Sequence, residues 1–144
     1  MAFDTLGPLE ALIELLGDLD GVRKVYRGVP ESVDNRLCAY VALAGQRVGR
    51  PTLRVMERKA NYFVGLVYRV QGAEATAETT LAETLDALVL ALDADRTLGG
   101  TAVNIELDLS LADRPEYRDL AGQEYRNYPV MVTVTQHQKQ EVQT

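Results

Sequence analysis

The sequence predicts an α+β domain, a mainly antiparallel sheet of about five strands with two helices packed on one face, in the order α-β-β-β-α-β-β. Three observations carry this expectation. Two segments repeat apolar residues at three- and four-residue spacing, the mark of a helix with one buried stripe. Several others alternate apolar and polar residues, the mark of a half-buried strand. Glycine and proline punctuate the boundaries between them.

Phe3 to Leu19 reads as the first helix, with Leu6, Leu9, Leu12, Ile13, Leu16 and Leu19 as its stripe. Asp4 or Thr5 can cap its start, Pro8 is tolerated in the first turn, and Gly17 and Gly21 end it. Val25 and Tyr26 favour a short strand over Arg23 to Arg27. Pro30, Ser32, Asp34 and Asn35 mark Gly28 to Arg36 as loop. Leu37 to Ala44 is the second strand, and Gln46 to Arg54, with Gly49 and Pro51, reads as a long hairpin tip. From about Met56 to Val70 the chain alternates again, with Ala60, Tyr62, Val64, Leu66, Tyr68 and Val70 on one face. That run exceeds the usual five or six residues of a strand and is long enough to leave the sheet as an arm.

Ala73 to Leu92 is the second helix, burying Ala77, Leu81, Leu85, Leu88, Val89 and Leu92, and Gly99-Gly100 stops it from continuing. Val103, Ile105, Leu107, Leu109 and Leu111 alternate with polar residues in a one-sided strand. Ala112 to Gly122, containing Pro115, reads as a polar connection. The last strand, Tyr125 to Gln136, turns Tyr128, Val130, Val132 and Val134 inward. Pro129 cannot donate to a ladder, which suits an edge position or pairing that begins after it. Residues 1–137 read as one domain and 138–144 as a loosely held polar tail.

At 144 residues the chain can bury about two thirds of its unfolded surface in a single core. No run approaches the roughly 18 apolar residues of a membrane span, and no basic segment precedes an apolar run at the start. The single cysteine, Cys38, sits in an apolar run as a small buried hydrophobe, consistent with synthesis in a reducing cytoplasm. A net charge of −6 opposes tight wrapping around nucleic acid, whose phosphates need Lys and Arg. It does not oppose a surface that DNA merely passes.

Catalytic constellations are thin. His137, the only histidine, is placed in the tail, where a base is not held in reacting geometry. Cys38 has no cationic partner within its strand, and no cluster of metal-ligand types occurs. Leu98-Gly99-Gly100-Thr101 lacks the Lys-Ser/Thr ending of a phosphate loop and follows a helix, and Gly45 to Gly49 does not match a dinucleotide fingerprint. Both glycine groups read as turns. No catalytic residue, cofactor or metal site is expected.

Charge placement says more. Arg47, Arg50, Arg54, Arg58 and Lys59 lie close together against Glu57 alone. Glu74, Glu78, Glu83, Asp86, Asp93, Asp95, Glu106 and Asp108 follow against Arg96 alone. One reading is two solvated faces of opposite sign. The sharper one is a basic arm that meets an acidic surface on the next subunit, a heterologous contact able to close into a ring. The same arm could instead reach a neighbouring protein in a stack.

The chain resembles the tail terminator (tail completion) family of long-tailed bacteriophages. The residues that carry the resemblance begin with Val25-Tyr26-Arg27-Gly28-Val29-Pro30 after the first helix. They continue with Tyr62-Phe63-Val64-Gly65-Leu66-Val67-Tyr68-Arg69-Val70, and with Leu98-Gly99-Gly100-Thr101 after the second helix. They close with Ala112-Asp113-Arg114-Pro115-Glu116-Tyr117 and Tyr128-Pro129-Val130-Met131-Val132-Thr133-Val134. Their order and spacing, spanning about residues 5 to 137, carry more than any one of them. The resemblance implies a hexameric ring at the head-proximal end of the tail tube. There it would stop tube polymerisation and join the tail to the head connector or stopper, with DNA passing through the lumen. It implies a virion protein made in the host cytoplasm, with no active site to transfer. From position, Arg47, Arg50, Arg54 and Arg58 are the residues expected to contact a neighbour. A different neck component, a stopper or adaptor, is the alternative, with a small ligand-binding domain or enzyme behind it.

Overall fold

The computed structural model describes residues 2–33, 36–70, 74–112 and 114–139. The expected α+β class and order of elements hold. The elements are α1 (Leu6–Gly17), β1 (Lys24–Arg27), β2 (Leu37–Thr52), β3 (Val55–Arg69), α2 (Glu74–Ala94), β4 (Asn104–Asp108), β5 (Glu116–Leu120) and β6 (Gln123–Lys139). Asp34, Asn35, Ala73, Asp113 and the end of the expected tail, 140–144, lie outside the described residues.

The sheet runs β1-β2-β3-β6-β4, and β5 also pairs with β6. Only β1 and β2 are parallel. Alternation decides which face each strand buries. Ala39 and Val41, then Tyr62, Val64 and Leu66, then Val130, Val132 and Val134 form one face, and α1 and α2 cover it with Leu12, Leu16, Leu81, Leu88 and Leu92. Both helices therefore share a single core. The opposite face holds a smaller cluster of Val33, Cys38, Tyr40, Val67 and Tyr125.

The start of α1 is fixed by Asp4, whose Oδ1 accepts the Gly7 N–H at 3.1 Å. Thr5 is occupied otherwise. Its hydroxyl accepts from Arg58, and its carbonyl accepts from the Tyr62 hydroxyl. Leu6, expected in the stripe, is exposed, and Pro8 is buried in its place.

Four expectations are corrected. First, Gln46 to Arg54 is not a loop: β2 continues to Thr52, with the turn at Leu53 and Arg54. Gly45 and Gly49 are strand residues rather than turn residues. The register shifts at Leu43/Gln46 and Gly49/Thr52 each place an extra residue on β2, and Pro51 falls in the second, where a bulge on an edge strand tolerates it. Second, the connection Ala112 to Gly122 contains β5, which forms a hairpin with β6. Third, Pro129 does not mark an edge. β6 pairs with β3 from Tyr125 to Lys139, while on its other side β5 covers Gln123–Asn127 and β4 covers Met131–Thr135. Pro129 falls in the interval between them, where no ladder bond is missing on that side. Fourth, residues 138 and 139 are not loosely held: Gln138 and Lys139 pair with Met56 and Val55.

Candidate interaction surface

Beyond Leu43, β2 has no partner but β3 among the described residues, because β1 pairs only with Cys38–Val41. The result is an arm. Its outer strand is exposed from Leu43 to Thr52, and β3 and the end of β6 back it. Three large apolar side chains stand open on it: Leu43, Val48 and Leu53, the last 86% exposed at the tip. An exposed strand edge carrying apolar residues is ordinarily blunted by charge, twist or a partner. Here two bulges and a row of arginines accompany it.

The four arginines do not act alike. Arg47 is exposed and lies opposite Lys59 across the β2–β3 pair, so both point away from the helices. Arg50 and Arg54 are exposed at the tip. Arg50 Nη1 donates to the Leu53 carbonyl at 3.2 Å, and the Arg54 N–H donates to Thr52 Oγ1 at 3.3 Å, which ties the turn together. Arg58 is different: it is only 8% exposed. Its Nη1 donates to Thr5 Oγ1 at 3.0 Å, its Nη2 donates to Gln136 Oε1 at 2.5 Å, and the guanidinium lies over the Phe3 ring. It binds the N-terminal segment to the sheet, so the arginines open to a neighbour are Arg47, Arg50 and Arg54.

The acidic residues also divide. Glu78 faces Arg126, a largely buried cation held between Tyr117 and Tyr128, with Nε 2.7 Å from Oε1. Asp95 accepts the Gly99 N–H at 2.9 Å and so fixes the turn after α2. There Leu98, Gly99 and Gly100 all have positive φ, as the glycine pair implies. Glu106 and Asp108 register with Thr133 and Met131 on the face away from the helices. The Ser110 hydroxyl and N–H hold the Asp108 carboxyl below its ordinary range. What remains is a band on the outside of α2, Glu83, Asp86 and Asp93, with Leu90 in its midst at 70% exposure. Asp93 has Arg96 at 3.6 Å, and both groups are exposed.

No protein-family model matches this chain, and no curated protein matches it.

His137 is not frayed. It lies within β6 opposite Glu57, with Nε2 2.9 Å from Glu57 Oε2, on an outward face. Cys38 is buried in the smaller cluster. Among the described residues no group of three His, Cys, Asp or Glu side chains is gathered so as to hold a metal ion. No described helix is long and apolar enough to cross a membrane. A half-open cleft of about 630 Å³ lies between the loop after α1 and the middle of α2, lined by Asp20, Arg23, Arg36, Arg69, Thr80 and Glu83 among others. Its arginines and carboxylates offer hydrogen bonds and charge of both signs. Sequence reading did not single out this cleft, because its lining comes from four separate segments of the chain.

Proposed function

We propose that this chain is a tail terminator: a structural protein that assembles as a ring at the head-proximal end of a tail tube, stops its polymerisation and joins it to the head connector. The observation that carries the reading is the arm. It presents Leu43, Val48 and Leu53 beside Arg47, Arg50 and Arg54, a surface that one subunit leaves open and a partner would cover. Arginine is enriched at the energetic centres of protein contacts, and the apolar side chains beside it supply surface to bury. The acidic band on α2 is a different patch of the same chain, and contact between different patches generates a ring when the rotation closes. The resemblance of the sequence motifs to the terminator family supplies the setting: partners in the tail tube and the head connector or stopper, and DNA in the lumen.

Native mass spectrometry of the chain, alone and with tail-tube protein, tests this. A hexamer, or a monomer that becomes a ring on the tube, supports the reading. Changing Arg47, Arg50 and Arg54 together to Glu is expected to abolish the ring while leaving the fold intact. A wild-type chain that stays monomeric with tube protein at every concentration overturns it. Binding to connector and not to tube would instead favour a stopper or adaptor.

A further inference from the structure

From the two open patches we infer a specific joint: the tip of the arm, Leu53 between Arg50 and Arg54, docks on the outer face of α2 in a second copy of this chain, at Leu90 between Asp86 and Asp93. The inference rests on the ring reading and names the contact that would hold copies together.

Each side is built from one apolar side chain and two like charges. Leu53 is 86% exposed and Leu90 is 70% exposed, so neither covers the other within one chain. Asp86, Leu90 and Asp93 are spaced four and three residues apart, which sets them in a line along one face of the helix. The last turn of α2 contains no basic residue. The partial negative charge of that helix end adds to Asp93, is partly offset by Arg96 at 3.6 Å, and favours an approaching guanidinium. On the tip, the hydrogen bond from Arg50 to the Leu53 carbonyl holds the turn, so less ordering is required on docking. Apolar meets apolar, and positive meets negative on both flanks. Pairing of like patches would set arginine against arginine or aspartate against aspartate, which disfavours tip-to-tip and helix-to-helix contacts.

One such joint buries little surface and would be weak alone. Closure changes this, because every copy in a ring both offers a tip and receives one, and the last joint forms within the assembly. Assembly should therefore be steep in protein concentration and should weaken with added salt, since both partners are solvent-exposed before docking.

The test uses the full chain carrying Leu53→Cys and Leu90→Cys, oxidised alone and in the presence of tube protein. Contact brings the two Cα atoms within disulfide range. The expected result is a non-reducing gel ladder rising to the closed ring. Either single-cysteine variant alone should give no such ladder, and the two mixed should give one heterodimer band. In a second measurement, Arg50→Glu with Arg54→Glu should weaken assembly by roughly tenfold or more in sedimentation velocity, and Asp86→Arg with Asp93→Arg in the same chain should restore it. Rings seen by native mass without the cross-link, and without rescue, overturn this joint and leave the ring reading standing. A wild-type chain monomeric in every condition overturns both.

Discussion

A Cβ on Gly65 would fall within 3.0 Å of Cε1, Cζ and the hydroxyl oxygen of Tyr40, the residue opposite it across the β2–β3 pair. The tyrosine ring occupies the space that a side chain at position 65 would need. It packs near Phe63, with centroids 6.4 Å apart and planes 19° apart, and its hydroxyl reaches Asn127 Oδ1 at 3.5 Å. An aromatic ring laid over a strand glycine replaces the missing packing there and pins the register. Gly65→Ala should therefore destabilise the fold by about 1–3 kcal/mol, as overpacking does, read as a lower urea midpoint at unchanged slope. In a Tyr40→Ala background the same change should cost much less. Two additive penalties would mean that the glycine is needed for some other reason.

Gln136 holds the N-terminal segment in a comparable way. Its Oε1 accepts from the Asp4 N–H at 3.1 Å and from Arg58 Nη2, and its Nε2 donates to the carbonyls of Asp4 and Thr101, both at 2.8 Å. The amide is saturated and 1% exposed. Gln136→Ala would leave several of these groups without a partner, at about 1–3 kcal/mol for each that stays buried. Gln136→Glu should not rescue it, because a carboxylate can face Arg58 but has no hydrogens for the two carbonyls. Hydrogen exchange at the start of α1 should quicken in both variants ahead of the sheet.

Much of the fold was legible in the sequence because apolar alternation survives wherever a strand faces the helices. The faces of β3 and β6 come directly from Tyr62, Val64 and Leu66, and from Val130, Val132 and Val134. What could not be read depends on contacts between distant segments. Arg58 looks like one of five clustered cations, and only Thr5, Gln136 and Phe3 make it an inward residue. Gln136 and His137 look like a polar tail because their polar partners lie between 35 and 132 residues away in the chain. Gly45, Gly49 and Pro51 are loop signals, yet an edge strand with bulges accommodates all three. The charged band and the apolar tip were partly visible. Leu53 and Leu90 gained their significance only once their exposure was known.

Burial pushes the Tyr62 and Tyr40 hydroxyls above their ordinary range, with Arg58 and Arg118 respectively opposing part of the shift. The sign follows from the proton: each folded-state tyrosine holds it more tightly than the unfolded chain does. That contribution to stability is complete below about pH 10, the unfolded value, and is lost as pH rises through the folded value. Thermal midpoints should therefore fall in the alkaline limb, and the part of the tyrosinate absorbance that Tyr40→Phe and Tyr62→Phe remove should rise together with unfolding rather than before it. Tyr62→Phe should lower stability at neutral pH, since the hydrogen bond to the Thr5 carbonyl is lost, and should flatten the alkaline fall. An unchanged alkaline limb would assign the fall to other groups.

The β5–β6 turn offers a change in the stabilising direction. Ala121 has φ 53° and Gly122 has φ 80°, so both central residues of this two-residue hairpin lie in the left-handed region. Such turns favour Asn-Gly, and Ala-Gly is a weak hairpin signal that leaves β5 unmarked in the sequence. Alanine in that region costs roughly 1–2 kcal/mol, whereas asparagine adopts it readily. Ala121 is exposed, so no packing is lost on replacement. Ala121→Asn should stabilise the fold by about 0.5–1 kcal/mol and slow amide exchange in Glu116–Leu120. Ala121→Gly should gain less, because glycine also adds freedom to the unfolded chain. Gly122→Ala should reverse the sign. If Ala121→Asn left the urea midpoint unmoved while Gly122→Ala lowered it, the strain at Ala121 would already be relieved by the turn, and the hairpin register would rest on Gly122 alone.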